Sequence, residues 1–279
     1  MNRFRFLVSL AALCTAAPSR GQAVPEPAAA GVRKSEWNGF GRLDFEVDGR
    51  SCLLIVPKSP APGNPWIWRT EFFGHEPQAD LALIAKGFHV AYMDVQNLYG
   101  APSAIAQMEK FHGYLRKVHQ LSGTPAVEGF SRGGLFALNW AVAHPGMVSC
   151  LYLDAPVCDF KSWPAGWGKG KGSAGDWARC KEVYGLVSDD AARAFKMNPV
   201  DQCEALAKAK TAILTVCGDA DDVVPLAENS ALLKERCGKL GHEVTLISKP
   251  GIGHHPHSLV DPAPIVEFVL KHTPAAAAK

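Results

Sequence analysis

Ala126-Val127-Glu128-Gly129-Phe130-Ser131-Arg132-Gly133-Gly134 is a short apolar strand running into a Gly-x-Ser-x-Gly turn, and a helix-forming run, Leu135-Phe136-Ala137-Leu138-Asn139-Trp140-Ala141, follows at once. A serine on so tight a strand-to-helix turn has strained dihedrals, and the positions two residues either side must lack side chains. Gly129 and Gly133 supply that room. The turn lifts the Ser131 hydroxyl above the sheet edge and sets Arg132 N–H, at the helix start, where an oxyanion would form.

Working outward, the pattern predicts strands alternating with helices. Arg42 to Val47 and Ser51 to Val56 flank Asp48-Gly49, a strong hairpin signal. Trp66 to Trp68 and Phe88 to Met93 are strands, with a short helix over Leu81 to Lys86 between them. Ile105, Met108, His112, Leu115 and Val118 recur at three- and four-residue spacing, the mark of a helix with one buried face. After the serine turn come a strand at Val148 to Leu153, a helix at Cys203 to Lys208, a strand at Ala212 to Val216, a helix at Leu226 to Cys237, a strand at Glu243 to Ser248 and a final helix at Ile265 to Lys271. Strands joined by crossover helices make a mostly parallel twisted sheet covered on both faces, an α/β fold.

The chain has 279 residues, 47% hydrophobic and 20% charged, which fits one α/β domain with a full core. Arg3 and Arg5, the apolar run Phe6 to Ala17 and the small-residue site at Gly21-Gln22-Ala23 read as a signal peptide over residues 1–23, too short for a membrane span. The expected organisation is therefore a signal peptide, a Pro/Ala-rich linker over 24–36, and a single domain over 37–274 with a lid insertion at about 155–200. Secretion or a periplasmic location follows. Removing Arg3, Arg5 and Arg20 leaves 26 basic against 27 acidic residues, so nothing in the charge favours nucleic acid or an anionic membrane. Export permits disulfides, and Cys158 with Cys180, flanking a Gly- and Trp-rich stretch, is the preferred pair. No Cys-x-x-Cys is present.

The serine turn is a nucleophile elbow, and it resembles that of the α/β-hydrolase superfamily; the resemblance covers about four-fifths of the chain. It implies the α/β-hydrolase fold, no cofactor, and an acid and a histidine following Ser131 in that order. Both positions are filled. Gly218-Asp219-Ala220-Asp221-Asp222-Val223-Val224-Pro225 is similar to the family's Gly-x-x-Asp-x-x-Val-Pro loop, which selects Asp221, with Asp219 and Asp222 left as turn formers. Gly251-Ile252-Gly253-His254-His255-Pro256-His257 selects His254 as base, with His255 its rival or a pocket residue. A metal held by His254, His255 and His257 is the competing idea; no second cluster at ligand spacing supports it, and no metal is expected.

The family often has His-Gly after the strand that ends at Trp68, and this chain has Arg69-Thr70-Glu71. A backbone N–H at Thr70 or Arg69 is the expected second oxyanion donor beside Arg132, with the Arg69 side chain pairing Glu71 or lining the pocket. The Arg132 guanidinium suits a substrate carboxylate or sugar oxygen, the alternative being an outward salt bridge. Ser-Arg-x-Gly here is similar to the elbow of glucuronoyl esterases. Trp163 and Trp167 on the lid suit sugar rings, or else anchor the lid. The resemblance thus implies a serine hydrolase acting on a small-molecule or carbohydrate ester, acetyl or uronoyl. The alternatives are a prolyl-oligopeptidase-like peptidase and a catalytically silent glycan-binding protein.

Overall fold

The structure is a computed structural model that describes residues 31–273. The signal peptide expected over 1–23 and most of the linker lie outside the described residues. Strands β1 (Arg33–Trp37), β2 (Phe40–Val47), β3 (Arg50–Val56), β4 (Trp66–Arg69), β5 (His89–Met93), β6 (Ala126–Phe130), β7 (Cys150–Asp154), β8 (Ala212–Gly218) and β9 (Val244–Lys249) form one sheet in the order β1-β2-β3-β5-β4-β6-β7-β8-β9. The first three strands pair antiparallel, β3 runs antiparallel to β5, and every pairing from β5 to β9 is parallel. The expected hairpin turns at Asp48 and Gly49, both with positive φ.

Residues 33–36 belong to β1 and not to a linker. Exposed from Arg33 to Glu36 and half-buried only at Trp37, β1 is an edge strand held by backbone pairing to β2, which no apolar alternation announces.

Helices α1 (Gln78–Ala85), α2 (Pro102–Val118), α3 (Gly133–Ala143), α4 (Ala174–Tyr184), α5 (Asp189–Ala194), α6 (Cys203–Ala209), α7 (Ser230–Gly238) and α8 (Ala263–His272) complete the domain. The two-residue side-chain period of the strands sorts them into two layers. Trp66, Trp68, Leu54 and Val127 face the core shared with α2, α3, α6 and α7; Ile67, Leu53, Ile55 and Val90 face α1 and α8. On α2 the buried stripe is Ala104, Met108, Phe111, His112 and Leu115, with Pro102 at the first turn where its missing N–H costs nothing. Val118, expected on that stripe, is exposed at the frayed end.

The lid is more regular than its glycines suggest, since Ala174–Tyr184 is a full helix. Its interior is a separate apolar cluster around Phe160, Trp177, Cys180 and Leu135 of α3. All seven cysteines among the described residues are free and buried, so the expected Cys158–Cys180 disulfide is not formed. Cys158 packs in the main core and Cys180 in the lid's own cluster, so the two thiols face different interiors.

No helix among the described residues is long and apolar enough to cross a membrane.

Candidate active site

β6 ends at Phe130 and α3 begins at Gly133, so Ser131 and Arg132 are the whole turn. Ser131 takes φ of 49°, the left-handed region that an L-residue enters at a cost. The cost is offset by hydrogen bonds on both sides: Ser131 N–H donates to Asp154 O at 2.9 Å, and Ser131 O accepts from Val157 N–H at 2.8 Å and Gly134 N–H at 3.0 Å. A Cβ on Gly129 would stand 2.8 Å from Gly133 O, and one on Gly134 would stand 2.5 Å from Pro156 Cβ. The close contact at Gly129 is with backbone that cannot swing aside. Gly129→Ala is therefore expected to lower stability by about 1–3 kcal/mol, read as a fall in the thermal midpoint.

The loops after β8 and β9 come to the same end of the sheet, the carboxyl edge where α/β folds place their sites. His254 bridges them. Its Nε2 lies 3.0 Å from Ser131 Oγ and its Nδ1 lies 2.7 Å from Asp221 Oδ2. Asp221 Oδ1 accepts the N–H groups of Val223 at 2.9 Å and Val224 at 2.8 Å. Burial acts to raise the Asp221 carboxyl, but the hydrogen bond from His254 and those from the two amides outweigh it and hold it below its ordinary value. Asp219 turns away to accept Gly251 N–H, and Asp222 pairs with Lys171 on the surface.

Above Ser131 and His254 is a cleft of about 360 Å³ that Phe72, Phe73, His75, His255 and His257 also line. Of the two rival histidines, His255 is a cleft residue. Arg132 is the α3 N-cap and follows Ser131 in the turn. Its side chain does not line the cleft. The guanidinium Nε is 3.3 Å from Glu71 Oε1 and Nη1 is 3.5 Å from Asp176 Oδ1, and the group also lies over the Phe72 ring. It is a strut between the loop after β4 and the lid. Burial pushes the Glu71 carboxyl up to about 7 against the pull of Arg132.

Three further expectations need correction. Thr70 N–H donates to Glu128 O at 3.0 Å, continuing the β4–β6 ladder, and its hydroxyl lies 2.9 Å from the carbonyls of Glu128 and Gly133. It has no donor left for an oxyanion. Arg69 is 1% exposed, out of reach of any substrate; its Nη1 meets Asp80 Oδ2 at 2.5 Å and Glu128 Oε1 at 3.2 Å, and it also donates to His75 O. It meets Glu71 only at the backbone carbonyl. Trp163 and Trp167 are half-buried against the lid's own cluster: Trp167 stacks edge-on against Trp177 under Arg193, and Trp163 lies beside Tyr99. Neither lines the Ser131 cleft.

Phe72, Phe73 and His75 line the cleft without having been expected there, and His257, weighed above only as a metal ligand, lines it too. The left-handed turn at Phe72 folds the loop after β4 back over the cleft, and Arg69 fastens it through the His75 carbonyl. The signal available was the position of that loop, directly after a parallel strand neighbouring the serine strand.

The fold and the carboxylate–imidazole–hydroxyl chain define a serine hydrolase of the α/β-hydrolase superfamily. Residues 114–273, over half of the chain, match the prolyl oligopeptidase family (Peptidase_S9), and the chain belongs to that family. No curated protein matches this sequence. Among solved structures, Porphyromonas gingivalis dipeptidyl peptidase 4 is similar at 15% identity and a TM-score of 0.61, over 87% of this chain and 36% of its own. Acetyl xylan esterase 1 from Thermoanaerobacterium sp. JW/SL YS485 is similar at 15% identity and a TM-score of 0.60, over 86% of this chain and 87% of its own. An esterase of Pyrococcus furiosus is similar at 16% identity and a TM-score of 0.56, over 86% and 97%. The chain thus spans about a third of the length of the dipeptidyl peptidases it matches.

Proposed function

We propose that the protein is an exported hydrolase of small carboxylic esters, with Ser131 as nucleophile, His254 as general base and acid, and Asp221 as the group that orients His254. The observation that carries this reading is His254 standing within hydrogen-bond reach of both Ser131 Oγ and Asp221 beneath an open cleft. Ser131 Oγ attacks the ester carbonyl as its proton passes to His254 Nε2, and Asp221 stabilises the imidazolium. The oxyanion is held by Arg132 N–H and by the backbone N–H of Phe72, the first residue of the β4 loop to line the cleft. His254 then protonates the leaving alcohol, and water attacks the acyl-enzyme with His254 again taking the proton, which releases the acid and restores Ser131.

A cleft of about 360 Å³ with two phenylalanines suits a short acyl group. Two solved esterases match over most of their own length, one of them named for acetyl xylan. That name is the remaining support for a carbohydrate alcohol, because Arg132 and the lid tryptophans, which suggested a sugar, are engaged elsewhere. Export rests on residues 1–23. Family membership keeps a second reading, the hydrolysis of peptides.

The test compares p-nitrophenyl acetate, butyrate and octanoate with an aminoacyl p-nitroanilide. The expected order in kcat/KM is acetate and butyrate above octanoate, with the anilide at least about a thousandfold lower, the loss of roughly 4 kcal/mol of barrier advantage. An anilide rate comparable with the esters would move the reading to peptide cleavage. Inactivity on all four, together with binding of an oligosaccharide, would move it to a silent glycan-binding protein.

A further inference from the structure

Beside the Ser131–His254–Asp221 chain, the cleft contains three more imidazoles. His75 comes from the loop after β4, and His255 and His257 come from the loop after β9. One ring nitrogen from each lies within 4.8 Å of the other two. The ring centroids of His255 and His257 are 4.7 Å apart, and His75 is 5.8 Å from each of them. Three side chains of one chemical type converge from two loops 180 residues apart in sequence, and the proposed hydrolysis uses none of them.

His257 is the fixed member. It is 3% exposed, and its Nδ1 lies 2.9 Å from Asp154 Oδ1. Asp154 is fully buried at the end of β7 and is itself held by Ser258 N–H at 2.8 Å and Tyr152 O–H at 3.0 Å. With Asp154 accepting the Nδ1 proton, Nε2 of His257 carries the lone pair. A buried carboxylate that fixes the tautomer and orientation of an imidazole is the outer partner that metal-binding histidines almost always have. His75 and His255 are exposed, so their rings are free to turn.

We propose that His75, His255 and His257 bind one divalent transition cation of the zinc class, with Asp154 orienting His257 and a further coordination position open to the Ser131 cleft. Neutral nitrogen ligands select this class over calcium or magnesium, which require oxygen. Three protein ligands and an open position make an accessible site, unlike the closed four-ligand set of structural zinc. Tetrahedral zinc with Zn–N of about 2.0–2.1 Å needs its nitrogens roughly 3.3 Å apart, and rotation of the two exposed rings toward His257 supplies the closure. His254 is excluded from the set because both of its nitrogens are already engaged. A bound cation would stand next to His254, whose ring centroid is 5.0 Å from that of His255 and 4.9 Å from that of His257. It would disfavour the imidazolium that hydrolysis requires, so the ion is expected to inhibit.

The test uses the untagged full chain, stripped of metal by a chelator, and reads binding directly by calorimetry with zinc and by the visible absorption of cobalt(II). The expected result is one ion per chain, a nitrogen-only protein ligand set by X-ray absorption, and a loss of at least about tenfold in affinity in each of His75→Ala and His255→Ala. Ser131→Ala should bind as the unaltered protein does. Both histidine variants sit at exposed positions and leave the fold intact, whereas Asp154→Asn, with an expected weakening of about 10–100-fold, alters a buried group and serves only as a companion. No saturable binding up to about 100 μM zinc, binding by His75→Ala and His255→Ala as tight as by the unaltered protein, or sulfur among the ligands would each overturn the proposal. Because binding is read without substrate, its failure is separable from failure of the hydrolase reading.

Discussion

Asp221→Asn is expected to lower kcat on p-nitrophenyl acetate by about ten-thousandfold, with little change in KM. The amide keeps the size of the carboxylate and retains an oxygen for Val223 and Val224 N–H. What it loses is the acceptor for His254 Nδ1–H, so the imidazole turns to the wrong tautomer and its Nε2 no longer takes the Ser131 proton. The same substitution has a signature in stability against pH. The folded pKa of Asp221 lies below its unfolded value, so its ionised form stabilises the fold at pH above the unfolded value, and that contribution disappears as pH falls through the folded value. Thermal midpoints measured from neutral to acid pH should therefore converge for the two proteins at the acid end. A kcat within tenfold of the unaltered protein would remove Asp221 from the mechanism and reopen Asp219 and Asp222.

Arg69→Met is expected to cost about 3–5 kcal/mol of stability. Arg69 is enclosed by Asp80 from the start of α1 and Glu128 from β6, all three at about 1% exposure, with the Phe130 ring 4.2 Å beneath the guanidinium. Burial first, and the charge of Asp80 next, raise the Glu128 carboxyl well above its ordinary value, which favours its protonated form. The cluster is then one guanidinium against one carboxylate. Without Arg69 the Asp80 charge has no partner in a dry interior, whereas Glu128→Gln removes no charge and should cost far less, within about 1 kcal/mol. For a domain of this size the Arg69→Met loss corresponds to a fall of roughly 10 °C in the thermal midpoint. Equal costs for the two variants would contradict the placement of the proton. Arg69 also fastens the loop that carries Phe72 and His75, so the folded fraction of Arg69→Met should lose activity beyond its loss of stability.

The parts of the site that lie close together in sequence were legible there. Gly129, Ser131 and Gly133 are tied to one turn by local sterics, and the Asp221 and His254 loops each carry a short pattern after an apolar strand. What the sequence hid depends on pairings between distant segments. The role of Arg69 requires β4 to lie beside β6, 59 residues on, before Glu128 is its neighbour. Thr70 lost its expected role through that pairing, because its N–H is consumed by the β6 carbonyl. Trp163 and Trp167 read as a ligand surface because a glycine-rich stretch hides α4, the helix that gives them an interior to fill. Asp154 and His257 stand 103 residues apart, and each alone reads as an ordinary strand end or loop residue.

Covalent trapping is the most direct test of Ser131 as the nucleophile. The protein would be treated with a fluorophosphonate, digested, and the peptides weighed, with Ser131→Ala and His254→Ala treated in parallel. The expected result is one phosphonyl group per chain on the peptide containing Ser131, none in Ser131→Ala, and labelling of Ser131 slowed by about a thousandfold or more in His254→Ala. A Ser131 that stays unmodified in the folded protein, or that reacts equally fast without His254, would contradict it.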